Sequence, residues 1–188
     1  MEILLLRHTR VDFPKNVLYG QLDVPLLGTW QVEFDEIAKK CGDLKGVPVY
    51  TSPLSRCKKL ADYLNESSEM HTEDRIMELS YGEWEGKHLR DLPQDKLIHW
   101  KSNFVDNACP GGETFKQLRD RGLAFIEDIL NKPTGKALVV THSGVIRALL
   151  VHWQNIPLHD AFTFNIDFGS LSVVHRVSNK IIVKSINL

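Results

Sequence analysis

The chain has 188 residues, enough for one domain with a substantial core. Its 43% hydrophobic and 25% charged residues are those of an ordinary soluble protein, and no segment approaches the roughly 20 apolar residues that span a bilayer. With 23 basic residues against 24 acidic ones, the net charge of -1 gives no global field to recruit nucleic acid or an anionic membrane, so any bound anion must be met by a local cluster.

The N-terminal Met1-Glu2-Ile3-Leu4-Leu5-Leu6 is apolar but carries an early acid and runs into Arg7, which is not the pattern of a signal peptide. Residues 2–7 instead suit a strand at the centre of a parallel sheet covered on both faces, with Arg7 and His8 at its carboxyl end. Residues 9–28, with Pro14, Gly20 and Pro25, read as a long loop over that end, and long loops in compact domains are often functional. Thr29 is placed to cap a helix running to about Cys41. A second strand over 47–50 precedes Thr51-Ser52-Pro53, and Arg56 falls in the first turns of a helix over 54–64. A third short strand is expected over 73–77, leading into Glu78 and the turn Tyr81-Gly82-Glu83-Trp84-Glu85-Gly86.

Residues 87–108 suggest two short helices broken by Pro93, with Trp100 and Phe104 at helical spacing. Pro110-Gly111-Gly112-Glu113 then precedes an amphipathic helix whose Phe115, Leu118, Gly122, Phe125, Ile126, Ile129 and Leu130 line one face. Ala137-Leu138-Val139-Val140-Thr141 is the strongest strand, with His142 at its carboxyl end, and Ser143-Gly144 open a helix apolar almost all round, hence buried. Terminal strands are expected near 162–166, 171–176 and 180–186. Without linker or repeat, this alternation predicts a single domain over residues 1–188, an α/β fold with helices on both faces of a mostly parallel sheet. Ligands of such sheets bind beyond the carboxyl ends of the strands, the edge that His8 and His142 share.

A phosphate dianion needs several fixed donors around its oxygens, and arginine supplies planar forks whose charge does not titrate. Arg7, Arg56 and His142 are the candidates for that role. A nucleophilic histidine must be neutral, and cationic neighbours favour that form, so His8 beside Arg7 suits attack on phosphorus, giving a phosphohistidine for water to cleave. The leaving alkoxide needs a proton, for which a carboxyl group beside phosphate charge is a suitable donor, and Glu78 is the candidate. The helix opened by Ser143 offers backbone N–H groups and a positive dipole end to the same phosphate. Taken singly, each has an ordinary alternative: a strand-end histidine as a surface or cap residue, Arg56 as a solvated helical side chain, Ser143 as a plain N-cap, Glu78 as a loop carboxylate.

Rival phosphate chemistries lack their motifs. There is no G-x-x-x-x-G-K-[ST] loop, no cysteine followed by arginine six residues later, no Asp-x-Asp, no G-x-S-x-G and no H-E-x-x-H among the eight histidines. Cys41, Cys57 and Cys109 form no Cys-x-x-Cys pair, and unpaired thiols in a reducing cytoplasm are expected.

Five segments in order resemble the histidine phosphatase superfamily, whose fold is phosphoglycerate-mutase-like. Leu5-Leu6-Arg7-His8-Thr9 resembles its L-x-R-H-G signature, Ser52-Pro53-Leu54-Ser55-Arg56 its S-x-L-x-R segment, and residues 75–86 its L-x-E-x-x-x-G-x-W-E-G stretch. Pro110-Gly111-Gly112-Glu113-Thr114 and Val139-Val140-Thr141-His142-Ser143-Gly144 complete the set, which spans nearly the whole chain. The resemblance implies a three-layer α/β/α sandwich and a metal-independent enzyme without cofactor. It makes His8 the phosphorylated nucleophile, Arg7, Arg56 and His142 the phosphate ligands and Glu78 the acid/base. Tyr19-Gly20-Gln21-Leu22-Asp23-Val24-Pro25-Leu26 resembles the family's substrate loop, with Gly20 and Gln21 near the phosphate. Thr9 and Ser143 stand where glycine is usual and Arg10 where an acid is usual, departures that bear on pocket shape. Arg-His-Thr with Tyr-Gly-Gln-x-Asp-Val-Pro-Leu looks most like the α-ribazole-5′-phosphate phosphatases of cobalamin biosynthesis. The expected partner is therefore a small-molecule phosphate ester, with a phosphoglycerate mutase or sugar bisphosphatase, or a non-catalytic phosphate-binding protein, as alternatives.

Overall fold

The computed structural model describes residues 1–65, 69–178 and 180–188. Six strands, β1 (Glu2–Arg7), β2 (Val49–Thr51), β3 (Met70–Thr72), β4 (Lys136–Thr141), β5 (Leu171–Val177) and β6 (Lys180–Ser185), form one sheet in the order β3-β2-β4-β1-β5-β6. The four strands from β3 to β1 are mutually parallel, and β5 and β6 are added antiparallel.

The apolar runs of β1 and β4 split by alternation between two cores. Ile3, Leu5, Ala137 and Val139 face α4 (Phe115–Leu130) and α5 (Ser143–Trp153). Leu4, Leu6, Leu138 and Val140 face α1 (Trp30–Cys41) and α2 (Ser55–Leu64). The result is the expected three-layer α/β/α arrangement. A third, smaller cluster joins Trp84 to Leu92, Leu97 and Cys109 around α3 (Gln94–Ser102), which follows Pro93 as expected. None of the helices among the described residues is long and apolar enough to cross a membrane.

Three local expectations are corrected. The strand expected over 73–77 lies earlier, at Met70–Thr72, and Asp74–Ile76 is a 3-10 turn. The Glu73 carboxylate accepts the Arg75 N–H at 3.0 Å, which rewards a turn over a ladder. No strand forms over 162–166: a 3-10 segment occupies Leu158–Thr163, and two carbonyls beyond it are taken by arginines, Phe164 O by Arg147 Nε at 2.9 Å and Ile166 O by Arg7 Nη1 at 2.5 Å. Thr29 does precede α1, but its hydroxyl donates to Glu33 Oε1 at 2.8 Å and caps no backbone N–H. The side-chain cap belongs to α4 instead, where Thr114 and Gln117 exchange bonds of 3.1 and 2.8 Å.

Candidate active site

Register places the two histidines. Arg7 of β1 pairs with Thr141 of β4, and the ladder runs one step further through a 3.1 Å bond from the His8 N–H to Thr141 O. His8 and His142 therefore leave adjacent strands side by side, their ring centroids 5.1 Å apart and nearly edge to face. Both are almost wholly buried. His8 Nδ1 lies 2.7 Å from Thr9 O, an acceptor only, so Nδ1 carries the hydrogen and Nε2 keeps its lone pair. His142 Nε2 lies 2.8 Å from the hydroxyl of Ser52, itself set at the end of β2 by a 3.0 Å bond from its N–H to Val140 O.

Two guanidinium groups flank this pair. Arg56, on the first turn of α2, is fully buried and donates to Gly20 O at 2.6 Å and Leu22 O at 2.7 Å. Arg7 donates to Ile166 O. In both, Nε is buried without a partner, and among the described residues neither joins a salt bridge. Arg7 is also bonded to Tyr19, and a cation held mainly by neutral groups, with a donor to spare, is suited to an anion.

Burial, then the charges of Arg56 and Arg7, hold the His8 pKa well below the ordinary imidazole value; burial, then His8 and the nearby arginines, do the same for His142. The sign for stability follows. Both rings are neutral in the folded chain at neutral pH, whereas unfolded histidines take up protons below about pH 6.5. Stability contributed by keeping them neutral is therefore complete above that pH and is lost as pH falls, at up to about 2.7 kcal/mol per pH unit for the two together. Denaturant midpoints measured from pH 7.5 to 5 should decline steeply; a flat profile would contradict neutral burial of the pair.

Glu78 follows the 3-10 turn that replaced the expected strand and still reaches the site. Its carboxylate accepts from Leu79 N at 2.9 Å, Gly144 N at 3.2 Å and Ser143 Oγ at 3.4 Å. The Gly144 N–H and the Ser143 hydroxyl, in the first turn of α5, are thus bonded to Glu78, where they were expected to face the phosphate. Gly144 is obligatory for this packing, because a Cβ there would overlap Glu78 Oε1. Gly144→Ala should displace the carboxylate and lower kcat about a hundredfold, with a smaller change in KM; steady-state kinetics on a phosphate monoester would read this.

Gly20 and Gln21 are also brought in, as braces. Gly20 presents its carbonyl to Arg56, while Gln21 donates its amide N–H to Glu85 Oε1 at 3.0 Å and its side-chain Nε2 to Glu78 O at 2.9 Å. Pro110-Gly111-Gly112-Glu113 anchors the Glu78 segment: Glu113 accepts Ser80 N at 2.9 Å and pairs with Arg121, which also donates to the carbonyls of Arg75 and Glu78. Sequence reading did not single out Tyr19, Arg121 or Phe168. Only Tyr19, inside the substrate-loop segment, carried a signal. Arg10 turns away to Glu33 at 3.1 Å and is exposed, and Thr9 is buried, so neither departure lines the cavity beside Glu78. That cavity, about 140 Å³, is bounded by Val17, Leu18, Tyr19, Gly20, Glu78, Tyr81 and Ser143.

No group of three or more His, Cys, Asp or Glu side chains placed to hold a metal occurs among the described residues. Cys57, near His142, is fully buried, donates to Thr141 O at 3.4 Å, and has its thiol pKa pushed up by burial, so it is no competing nucleophile.

Residues 3–188 match the model of the histidine phosphatase superfamily, branch 1. The chain belongs to the histidine phosphatase superfamily. Among its relatives, an uncharacterized phosphatase of Bacillus subtilis, PhoE, is 30% identical over 180 residues, covering 89% of this chain and 88% of that protein. Phosphoserine phosphatase 1 of Hydrogenobacter thermophilus is 24% identical over 196 residues, covering 100% and 92%. The α-ribazole phosphatase of Shigella flexneri shares the fold with a TM-score of 0.90 at 22% identity, over 100% of this chain and 96% of that one.

Proposed function

We propose that this chain hydrolyses a small-molecule phosphate monoester through a phosphohistidine on His8. The observation that carries the reading is the fully buried Arg56 and the partly buried Arg7, each with a buried, unpartnered Nε, beside a neutral imidazole whose Nε2 is free.

In the first step His8 Nε2 attacks phosphorus in line, the bond to the alcohol oxygen breaks, and Glu78 gives that oxygen its proton. Arg7, Arg56 and His142 meet the charge spread over the phosphoryl oxygens. In the second step Glu78 takes a proton from water, the oxygen bonds to phosphorus, and the N–P bond breaks to release inorganic phosphate and neutral His8.

For the alcohol we favour α-ribazole 5′-phosphate, which the substrate-loop segment and the likeness to an α-ribazole phosphatase support. The cavity, lined by Glu78, Ser143, Tyr19 and Tyr81 and not by His8 or the arginines, is on this reading the place of the alcohol beside its proton donor. A second reading, a small phosphorylated acid such as phosphoserine, is favoured by the size of about 140 Å³, well short of that of pockets enclosing larger ligands. Phosphate release from α-ribazole 5′-phosphate, phosphoserine, 3-phosphoglycerate and fructose 2,6-bisphosphate separates these. The largest kcat/KM on α-ribazole 5′-phosphate supports the first; isomerisation of phosphoglycerate without release would make the protein a mutase.

A further inference from the structure

Phe168 lies outside every motif of the sequence, yet its ring sits on two members of the site. The Arg7 guanidinium carbon is 3.6 Å from the ring centroid, and the His8 ring centroid is 5.6 Å away. The side chain is 39% exposed, so one face of the ring meets solvent while the other covers charge.

The turn carrying it is built to hold it there. Ser170 N donates to Asp167 O at 3.1 Å, and Gly169, at the third position with φ +68°, takes the left-handed conformation that such a turn favours in glycine. Gly169 N donates to His8 O and Arg7 N donates to Ser170 O, both at 3.1 Å, so the turn is stitched to the two residues that Phe168 covers. Asp167 binds the side-chain amides of Asn165 and Asn187 at 2.8 and 2.9 Å. Thr9 Cγ2 and Ile37 stand behind Gly169. This gives the departure at Thr9 a place, in the support of the turn.

Resting on the reading of His8 as nucleophile, we infer that Phe168 is a positioning residue: it clamps the Arg7 guanidinium by stacking and keeps water off His8. With Nη1 fixed on Ile166 O, Tyr19 bonded to the side chain and the ring against its guanidinium carbon, Arg7 has little freedom to reorient its unpartnered Nε. The groups facing His8 are Arg7 from β1, Arg56 from α2, the His142 ring at the start of α5 and the Thr9 carbonyl; Phe168 covers one further side. Opening that side relieves the desolvation that keeps the imidazole neutral.

The test compares the full chain with Phe168→Ala, Phe168→Leu and Phe168→Tyr, using nitrogen-15 NMR to follow the His8 imidazole and calorimetry to follow inorganic phosphate. Phe168→Ala should move the His8 titration up toward the ordinary imidazole value and weaken phosphate binding about tenfold. Leucine, which shields without a ring face, should restore the low titration but not the phosphate affinity, and tyrosine should restore both. An unchanged titration and phosphate affinity in the alanine and leucine variants would overturn the inference. Neither readout requires turnover, so loss of the phosphohistidine reading, shown by an active His8→Ala enzyme, remains a separate result. The acid limb of kcat/KM should follow the His8 titration in each active variant.

Discussion

His8→Ala will lower kcat/KM for any accepted monoester about ten-thousandfold or more if His8 is the nucleophile we propose, because nothing beside it can substitute. Cys57 is a protonated, buried thiol, and His142 has Nε2 engaged with Ser52. The arginines keep their anchors in this variant, Arg56 on Gly20 O and Leu22 O and Arg7 on Ile166 O, so inorganic phosphate should still bind. Rapid quench with phosphorus-32 substrate should give acid-labile phosphoprotein from the parent chain and none from the variant. Full activity in His8→Ala would end the phosphohistidine reading outright.

The second large effect is expected at Arg56. Two nitrogens of its guanidinium hold the loop carbonyls of Gly20 and Leu22, and Nε is left unpartnered, on our proposal for the anion. A lysine ammonium at the end of a flexible stem cannot bridge the two carbonyls and still present a donor in the same plane. Arg56→Lys should therefore cost about a thousandfold in kcat/KM, in the range seen when an arginine that stabilises phosphoryl charge is removed. The loss should appear in phosphate affinity as well as turnover. Stability is touched too, since a carbonyl left unpaired in a buried site costs about 1–3 kcal/mol. A near-normal lysine variant would mean that Arg56 serves the loop alone.

Much of this was legible in the order of residues. Short apolar runs ending in Arg7-His8 and Thr141-His142 implied buried parallel strands with chemistry at their carboxyl ends, and the register of β1 with β4 follows that plan. Arg56 was legible as an arginine on an early helical turn, but not its burial, which depends on carbonyls from a loop far away in sequence. The same limit explains Phe168 and Arg121, whose roles lie in contacts across the fold. The strand expected over 73–77 failed because local side-chain bonding, Glu73 to Arg75, outweighed propensity where the neighbouring strand β2 is only three residues long. Ser143 was legible as the start of a helix, but the carboxylate that accepts from its hydroxyl could be seen only once Glu78 was in place.

Pairing of β1 with β4 has a consequence for how the protein recovers after denaturation. No local stretch of chain contains both histidines; they meet only when strands far apart in the sequence zip together, which demands closure of a very large loop. Helices can regrow without it, so helical content should return ahead of catalytic competence. If phosphate binds the assembled pair, as we propose, it should favour the late, zipped chain over its helical precursors in proportion to the logarithm of its concentration.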